Sequence, residues 1–201
     1  LKARVRAGRR ILELQEELVR AREALRDQAT HDALTRLLNR ACILEFLDKE
    51  LDRSRRGLTP VAVILTDLDH FKSVNDNYGH LAGDEVLRQI ASQLRAAVRS
   101  YDAVGRYGGE EFLMVLPGCD AAAAGRRAES LRVAVARNPV TISETCQIPV
   151  SLSLGVATTA ELGLLDAASL LRQADDALYR AKDMGRNRVD VARAADPGAT
   201  A

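Results

Sequence analysis

The stretch Arg106-Tyr107-Gly108-Gly109-Glu110-Glu111-Phe112 constrains the fold of this chain more than any other. Two adjacent glycines permit a tight turn. The runs on either side, Tyr101 to Arg106 and Phe112 to Leu116, read as the arms of an antiparallel hairpin. Two carboxylates therefore sit at the hairpin's tip. A second acidic segment, Asp67-Leu68-Asp69-His70-Phe71-Lys72, closes the apolar run Val61 to Leu65, so its carboxylates fall at the end of a buried strand. Two acidic strand ends can share one cation, which puts metal and phosphate chemistry first among the functions to consider.

Around these strands the pattern alternates irregularly. Asn39 and Arg40 lead into a helix from Ala41 to Arg53, and the strand Val61 to Thr66 follows a Gly57/Pro60 turn. A short helix begins near His70 and is interrupted at Asn75-Asp76-Asn77-Tyr78-Gly79. A longer one from Gly83 to Val98 carries Val86, Leu87, Ile90 and Leu94 on one face. After the hairpin come an alanine-rich helix from Ala121 to Arg137, strands Val140 to Cys146 and Val150 to Ala157 with Pro149 at their turn, and a helix from Ala167 to Asp183 that stops before Gly185. A last strand spans Arg188 to Val191. Strands and helices without regular alternation indicate an α+β fold.

The 201 residues have room for one well-buried domain and an appendage. With 29 basic and 28 acidic residues the net charge is +1, which argues against a global field for a nucleic-acid polymer or a membrane surface, so phosphate recognition has to be local. Cys42, Cys119 and Cys146 lack metal-ligand spacing, and neither a signal peptide nor a bilayer-spanning apolar run is present, so a reducing cytoplasm is the expected location. Leu1 in place of Met suggests a piece of a longer protein.

Residues 1–30 form the appendage. Ile11, Leu14, Leu18, Ala21 and Leu25 recur at alternating spacings of three and four, with Gln28 in register, as the a and d positions of a coiled coil. Glu17 then falls at g and Arg22 at the following e, where parallel helices pair. The expectation is a parallel dimeric stalk; the alternative is one surface helix packed on its own domain. Thr30 to Arg40, a mixture of cap residues and leucines, reads as the joint to the domain at 31–192, and 193–201 reads as a flexible tail.

Carboxylates gathered at strand ends repel one another, so Asp67 and Glu110 close together call for a divalent cation or a shared proton. Oxygen ligands without paired His or Cys favour Mg²⁺, with Mn²⁺ as the alternative. Asp69 stands where an N-cap for the helix at His70 belongs, and that role is expected of it in preference to metal ligation. Lys182 and Arg186 flank Gly185. Taken alone, they are explained by the preference of cations for a helix C-terminus.

Four segments in order give these features a common reading: DALTRLLNR at 32–40, DLDHFKSVNDNYGHLAGDEVL at 67–87, GGEEF at 108–112 and YRAKDMGRN at 179–187. Together they resemble the GGDEF domains, diguanylate cyclases that join two GTP molecules into cyclic di-GMP. The resemblance spans Asp32 to Val189 and implies a palm-like fold, similar to adenylyl cyclase, in which helices flank a central, mostly antiparallel sheet. It implies that Asp67, the carbonyl of Leu68 and Glu110 hold the metal against the GTP phosphates. Glu111 is then a candidate for assisting deprotonation of the ribose 3′-hydroxyl that attacks the other nucleotide's α-phosphate, and its alternative role is that of a strand-surface carboxylate. Gly108 and Gly109 border the substrate. Asn75 and Asp84 read guanine, whose N1 and N2 donors adenine lacks, and the amides near Phe71 and Lys72 receive phosphate oxygens. Lys182 and Arg186 meet the terminal phosphates. Arg99 and Asp102 match the family's inhibitory RxxD site for the product, with a second arginine expected from Arg126, Arg127 or Arg132. Because the product is two-fold symmetric and each chain has one such site, a homodimer with facing domains is implied. A rival reading, a receptor that binds GTP or cyclic di-GMP without turnover, is opposed by the intact set of these residues.

Overall fold

The computed structural model describes residues 2–57, 59–143, 145–162 and 166–193. Helix α1 (Lys2–Thr30) precedes α2 (Arg40–Gly57), strand β1 (Val61–Leu68), α3 (Phe71–Tyr78), α4 (His80–Ala97) and the hairpin β2 (Ala103–Arg106) with β3 (Glu111–Pro117). Then come α5 (Ala121–Arg137), β4 (Val140–Ser143), β5 (Cys146–Ile148), β6 (Leu152–Thr158), the single turn α6 (Thr159–Leu162), α7 (Ala167–Asp183) and β7 (Val189–Val191). The fold is α+β. Five strands lie in the order β2-β3-β1-β6-β7, all antiparallel except β6 with β7.

β1 is buried along its whole length because it is central and covered on both faces. Val61, Val63 and Leu65 join Leu113 and Val115 of β3 against α2 and α7, through Ile43, Leu47, Leu170 and Ala174. Ala62, Ile64 and Leu68 join Phe112, Met114 and Leu116 against Val86, Ile90 and Leu94 of α4 and Leu131 of α5. Each such side chain, fully buried, contributes about 1.5–3 kcal/mol relative to exposure, which makes this double-sided core the main support of the strand ends. The register sets Asp67 opposite Glu111 on β3 and opposite Ser153 on β6. The acidic ends thus meet through strand pairing alone.

Several local expectations change. Asp69 does not cap α3. The N-cap is His70, in a left-handed conformation (φ 57°) and without a side-chain cap bond, while the Asp69 carboxylate turns inward to Ser151 and Ser153. Helix α3 runs unbroken through Asn75 to Tyr78, and α4 starts at His80, ahead of Gly83. The paired strands expected across Pro149 resolve into a separate two-stranded sheet, β4 with β5, while β6 alone enters the main sheet. Residues 194–201 of the expected tail lie outside the described residues.

α1 leaves its seam open: Leu14, Leu18 and Leu25 are 48%, 70% and 66% exposed, so the reading of a helix packed on its own domain does not hold there. Leu12 and Val19, one position beyond the seam, are exposed too and widen the apolar stripe. The joint that follows is well tied. Asn39 donates its side-chain amide to the carbonyl of Ala29 (2.8 Å), while its carbonyl oxygen caps α2 by accepting from Cys42 N (3.0 Å). Among the described residues no helix is long and apolar enough to cross a membrane.

Candidate active site

Four groups, Asp67, Glu110, Glu111 and Lys182, converge where β1 ends and β3 begins. Asp67 and Glu111 are cross-strand partners, and the Leu68 amide donates to the carbonyl of Glu110 (3.3 Å), which pins the hairpin tip to the end of β1. Lys182, in the last turn of α7, places its ammonium 2.8 Å from Asp67 Oδ2. In this structure Lys182 thus balances Asp67. Burial pushes the Asp67 carboxyl above its ordinary range and the charge of Asp69 adds to it, with Lys182 and Arg186 opposing. Glu110 is raised by burial and then by the charges of Asp67 and Glu111; Glu111 is raised by burial and then by Asp67 and Asp175. Three carboxylates share one nearby ammonium, so the site favours additional positive charge.

The hairpin's glycines act differently from a simple turn requirement. Neither Gly108 nor Gly109 has a positive φ. Instead, a Cβ at Gly108 would overlap the Glu111 carboxylate, so glycine here makes room for that side chain. Arg106 steadies the tip: its Nη2 and Nε donate to the Gly109 carbonyl (2.7 and 3.1 Å), while Nη1 donates to Asp32 (3.1 Å). Burial works against the ionised Asp32, yet hydrogen bonds from Thr35 and then the Arg106 charge hold its carboxyl below the usual range. The Arg40 guanidinium stacks over the Tyr107 ring, 4.8 Å from its centroid. This clamp was not among the expected site residues, although the Asp-x-x-Thr spacing at 32–35 signals a side-chain-stabilised turn.

The base-reading pair lies to one side. A Cβ at Gly83 would collide with the Asn75 carboxamide, so α3 and α4 cross closely at that glycine, the residue before Asp84. Asn75 and Asp84 are partly exposed. The amides of Phe71 and Lys72 occupy the first turn of α3, where no intrahelical acceptor exists, and so remain available to an anion. Arg186 projects from the loop after α7, exposed, with φ 63°.

A separate cavity of about 650 Å³ lies between α4 and α5, lined by Gln93, Arg99, Cys119, Arg126, Arg127 and Ser130. Arg99 donates to the Tyr101 hydroxyl (2.6 Å) at the surface. Asp102 differs: its side chain is fully buried, and one oxygen accepts from Arg99 N (2.8 Å) and Arg127 Nη2 (2.6 Å) while Oδ1 has no partner. Of the three candidate arginines, Arg127 engages Asp102, Arg126 lines the cavity, and Arg132 is turned away to Glu129 and Asn187.

Comparison with known proteins places the chain in a family. The family profile described as "Diguanylate cyclase, GGDEF domain" matches residues 29–188. The chain belongs to the GGDEF family. Relatives include diguanylate cyclase DgcP of Pseudomonas aeruginosa, 41% identical over 170 residues, covering 85% of this chain and 25% of DgcP. Response regulator PleD of Caulobacter vibrioides is 43% identical over 162 residues, covering 80% of this chain and 36% of PleD. The chain therefore spans only a quarter to about a third of these relatives. Among solved structures, the coiled coil and GGDEF domain of DgcB from Caulobacter crescentus, in complex with c-di-GMP, superposes with a TM-score of 0.81 at 34% identity, covering 91% of this chain and 97% of that one.

Proposed function

We propose that this GGDEF chain is a metal-dependent diguanylate cyclase subunit: two copies each present one GTP and condense the pair into cyclic di-GMP and two pyrophosphates. The observation that carries the reading is the convergence of Asp67, Glu110 and Glu111 at paired strand ends, with Lys182 at 2.8 Å from Asp67 and carboxyl groups held above their ordinary range.

Among the described residues no cage of three or more His, Cys, Asp or Glu side chains forms, so a cation here would rest on Asp67, Glu110 and the Leu68 carbonyl. So few protein ligands suit Mg²⁺, which leaves its other positions to water and phosphate oxygens; bound there, it neutralises charge on the reacting phosphate. With a cation held there, Asp67 would no longer need Lys182, whose ammonium would be free for the phosphates alongside Arg186 and the first amides of α3. The Asp84 carboxylate accepts from guanine N1 and N2, and the Asn75 carboxamide donates to an acceptor of the base. Glu111, with its raised affinity for protons, takes the proton of the attacking 3′-hydroxyl. Two GTPs must face each other, so the exposed Leu14, Leu18 and Leu25 seam serves to pair two stalks and hold the domains at high effective concentration. The cavity beside Arg99, Arg126 and Arg127 is the place for product feedback, with Asp102 holding Arg127 and the Arg99 backbone from below.

The test is pyrophosphate release from GTP with Mg²⁺, after bound nucleotide is stripped, on the full chain and on a shortened chain starting near Asp32. Turnover is expected from the full chain, with specific activity of the shortened chain falling steeply on dilution. Nucleotide binding without pyrophosphate release would make the chain a receptor; activity of the shortened chain independent of its concentration would remove the dimer.

A further inference from the structure

Asp69 is buried and has been left without a role by the site described above. It lies two residues beyond Asp67, just after β1, and its carboxylate is fully engaged: Oδ1 accepts from Ser153 Oγ (2.6 Å), Oδ2 from Ser151 Oγ (2.6 Å) and from the backbone amide of Asn187 (3.0 Å). Its own amide donates to the Ser151 carbonyl (3.0 Å). These three bonds occupy most of the carboxylate's about four lone-pair sites, and they join the end of β1 to the loop that follows α7.

That loop has an unusual backbone. Gly185, Arg186 and Asn187 have φ values of 110°, 63° and 46°, so two residues with side chains sit consecutively in the left-handed region. Such a conformation costs free energy and persists only where its surroundings over-determine it, a situation that clusters at ligand clamps. The surroundings here are the Arg186 amide bonded to the Ala181 carbonyl (3.0 Å), Arg132 Nη1 bonded to Asn187 Oδ1 (2.8 Å) and Asp69 bonded to the Asn187 amide. Of these, only Asp69 connects the loop to the metal-facing end of β1. Arg186 itself is exposed, and among the described residues its side chain forms no ion pair within contact distance, so beyond the attraction of Asp67 its aim depends on the backbone that carries it.

We propose that Asp69 is a positioning residue for the nucleotide's terminal phosphates: it locks the left-handed Arg186–Asn187 loop and thereby aims Arg186 at a phosphate whose other contacts lie at the end of β1. This rests on the reading that Arg186 meets the triphosphate. The carboxylate acts through Arg186 and touches neither substrate nor ion.

The test is a double-mutant cycle on the full chain with GTP and Mg²⁺, comparing Asp69→Ala, Arg186→Ala and the double variant, together with hydrogen exchange at the Asn187 amide. Asp69→Ala is expected to raise KM by about tenfold, as loss of an outer-shell partner does elsewhere, with kcat much less affected. The double variant should be no worse than Arg186→Ala alone, and the Asn187 amide should exchange faster. Asp69→Asn, which can still accept from that amide, should restore most of the KM. Multiplying KM effects, or an unchanged exchange rate, overturns the inference while leaving the triphosphate reading intact. An Arg186→Ala variant with normal KM overturns that reading and the inference with it. Should Asp69→Ala not fold, Ser153→Ala removes only the bond that orients Oδ1 and enters the same cycle with the same outcomes.

Discussion

Two carboxylate–cation pairs of nearly equal length, Asp67–Lys182 at 2.8 Å and Asp102–Arg127 at 2.6 Å, sit in different surroundings in this fold. Asp67 sits at an open strand end among like charges, and its ammonium partner is a third exposed, on a flexible stem at the end of a helix. Asp102 is fully buried at the foot of β2, and its partner is a planar guanidinium that also donates to the Ala97 carbonyl. Separation therefore says little about purpose. The surrounding charge and the freedom of the partner distinguish the pair proposed to exchange its cation from one that ties the α4–β2 loop to α5.

The sharpest way to break this comparison is by turnover. Asp67→Ala is expected to lower pyrophosphate release by about 10³-fold or more, the scale of losing a principal charge-stabilising group, about 4 kcal/mol of transition-state stabilisation. Asp102→Ala, remote from the strand ends, should leave turnover within about threefold while weakening inhibition by cyclic di-GMP. Equal losses would make the two pairs one site.

Stability should reverse the ranking. Arg127→Ala strands a buried carboxylate and is expected to cost about 3 kcal/mol in urea unfolding at neutral pH. Lys182→Ala leaves Asp67 with a carboxyl already raised above its ordinary range, which can take up a proton in place of its lost partner, and should cost less, about 1 kcal/mol. A larger loss at Lys182 would mean that its pair is structural.

The dependence on pH comes next. Glu110 and Glu111 are raised above their ordinary 4.5, so the folded chain still holds protons at a pH where the unfolded chain has released them. The contribution of these groups to stability consequently falls as pH rises from about 4.5 through their folded values. Replacing both with Gln should raise the unfolding midpoint relative to the parent at pH 8, and the gain should disappear toward pH 4. Millimolar Mg²⁺ added to the parent should flatten the same slope. A constant difference across pH would show that the carboxylates do not press on one another.

The smallest effect concerns Lys49–Glu45, also 2.6 Å apart but exposed on α2. Replacing either residue with Ala should leave the unfolding midpoint unchanged within error, because solvent screens such pairs. A measurable shift there would restore distance as the deciding variable.

Much of the architecture was legible in the chain itself wherever cause and effect are close in sequence. The apolar run at 61–65 with Asp67 at its end, the hairpin around Gly108-Gly109 and the helix stopping before Gly185 depend on local periodicity and turn chemistry. Asp69 was misjudged because an N-cap is a local inference, whereas its partners lie 82, 84 and 118 residues away. The Asn75-Asp76-Asn77 run resembled a helix breaker, but packing of Asn75 over Gly83 outweighed its propensity. The choice among Arg126, Arg127 and Arg132 depended on the rotation of α5 against α4, which only the packed core decides. The contact of Lys182 with Asp67 was not foreseen, because charge compensation between distant segments leaves no periodic trace.

The Asp32–Arg106–Gly109 clamp has a mechanical corollary. Through Arg106 the hairpin tip is fastened to the turn at Asp32, and through Asn39 that turn is fastened to the Ala29 carbonyl at the foot of α1. Bonded in this way at both ends, the joint offers a route by which a twist of α1 about its own axis would reach the acidic cleft. In a pair of such chains, a few degrees of winding would decide whether the two clefts look at each other or past each other.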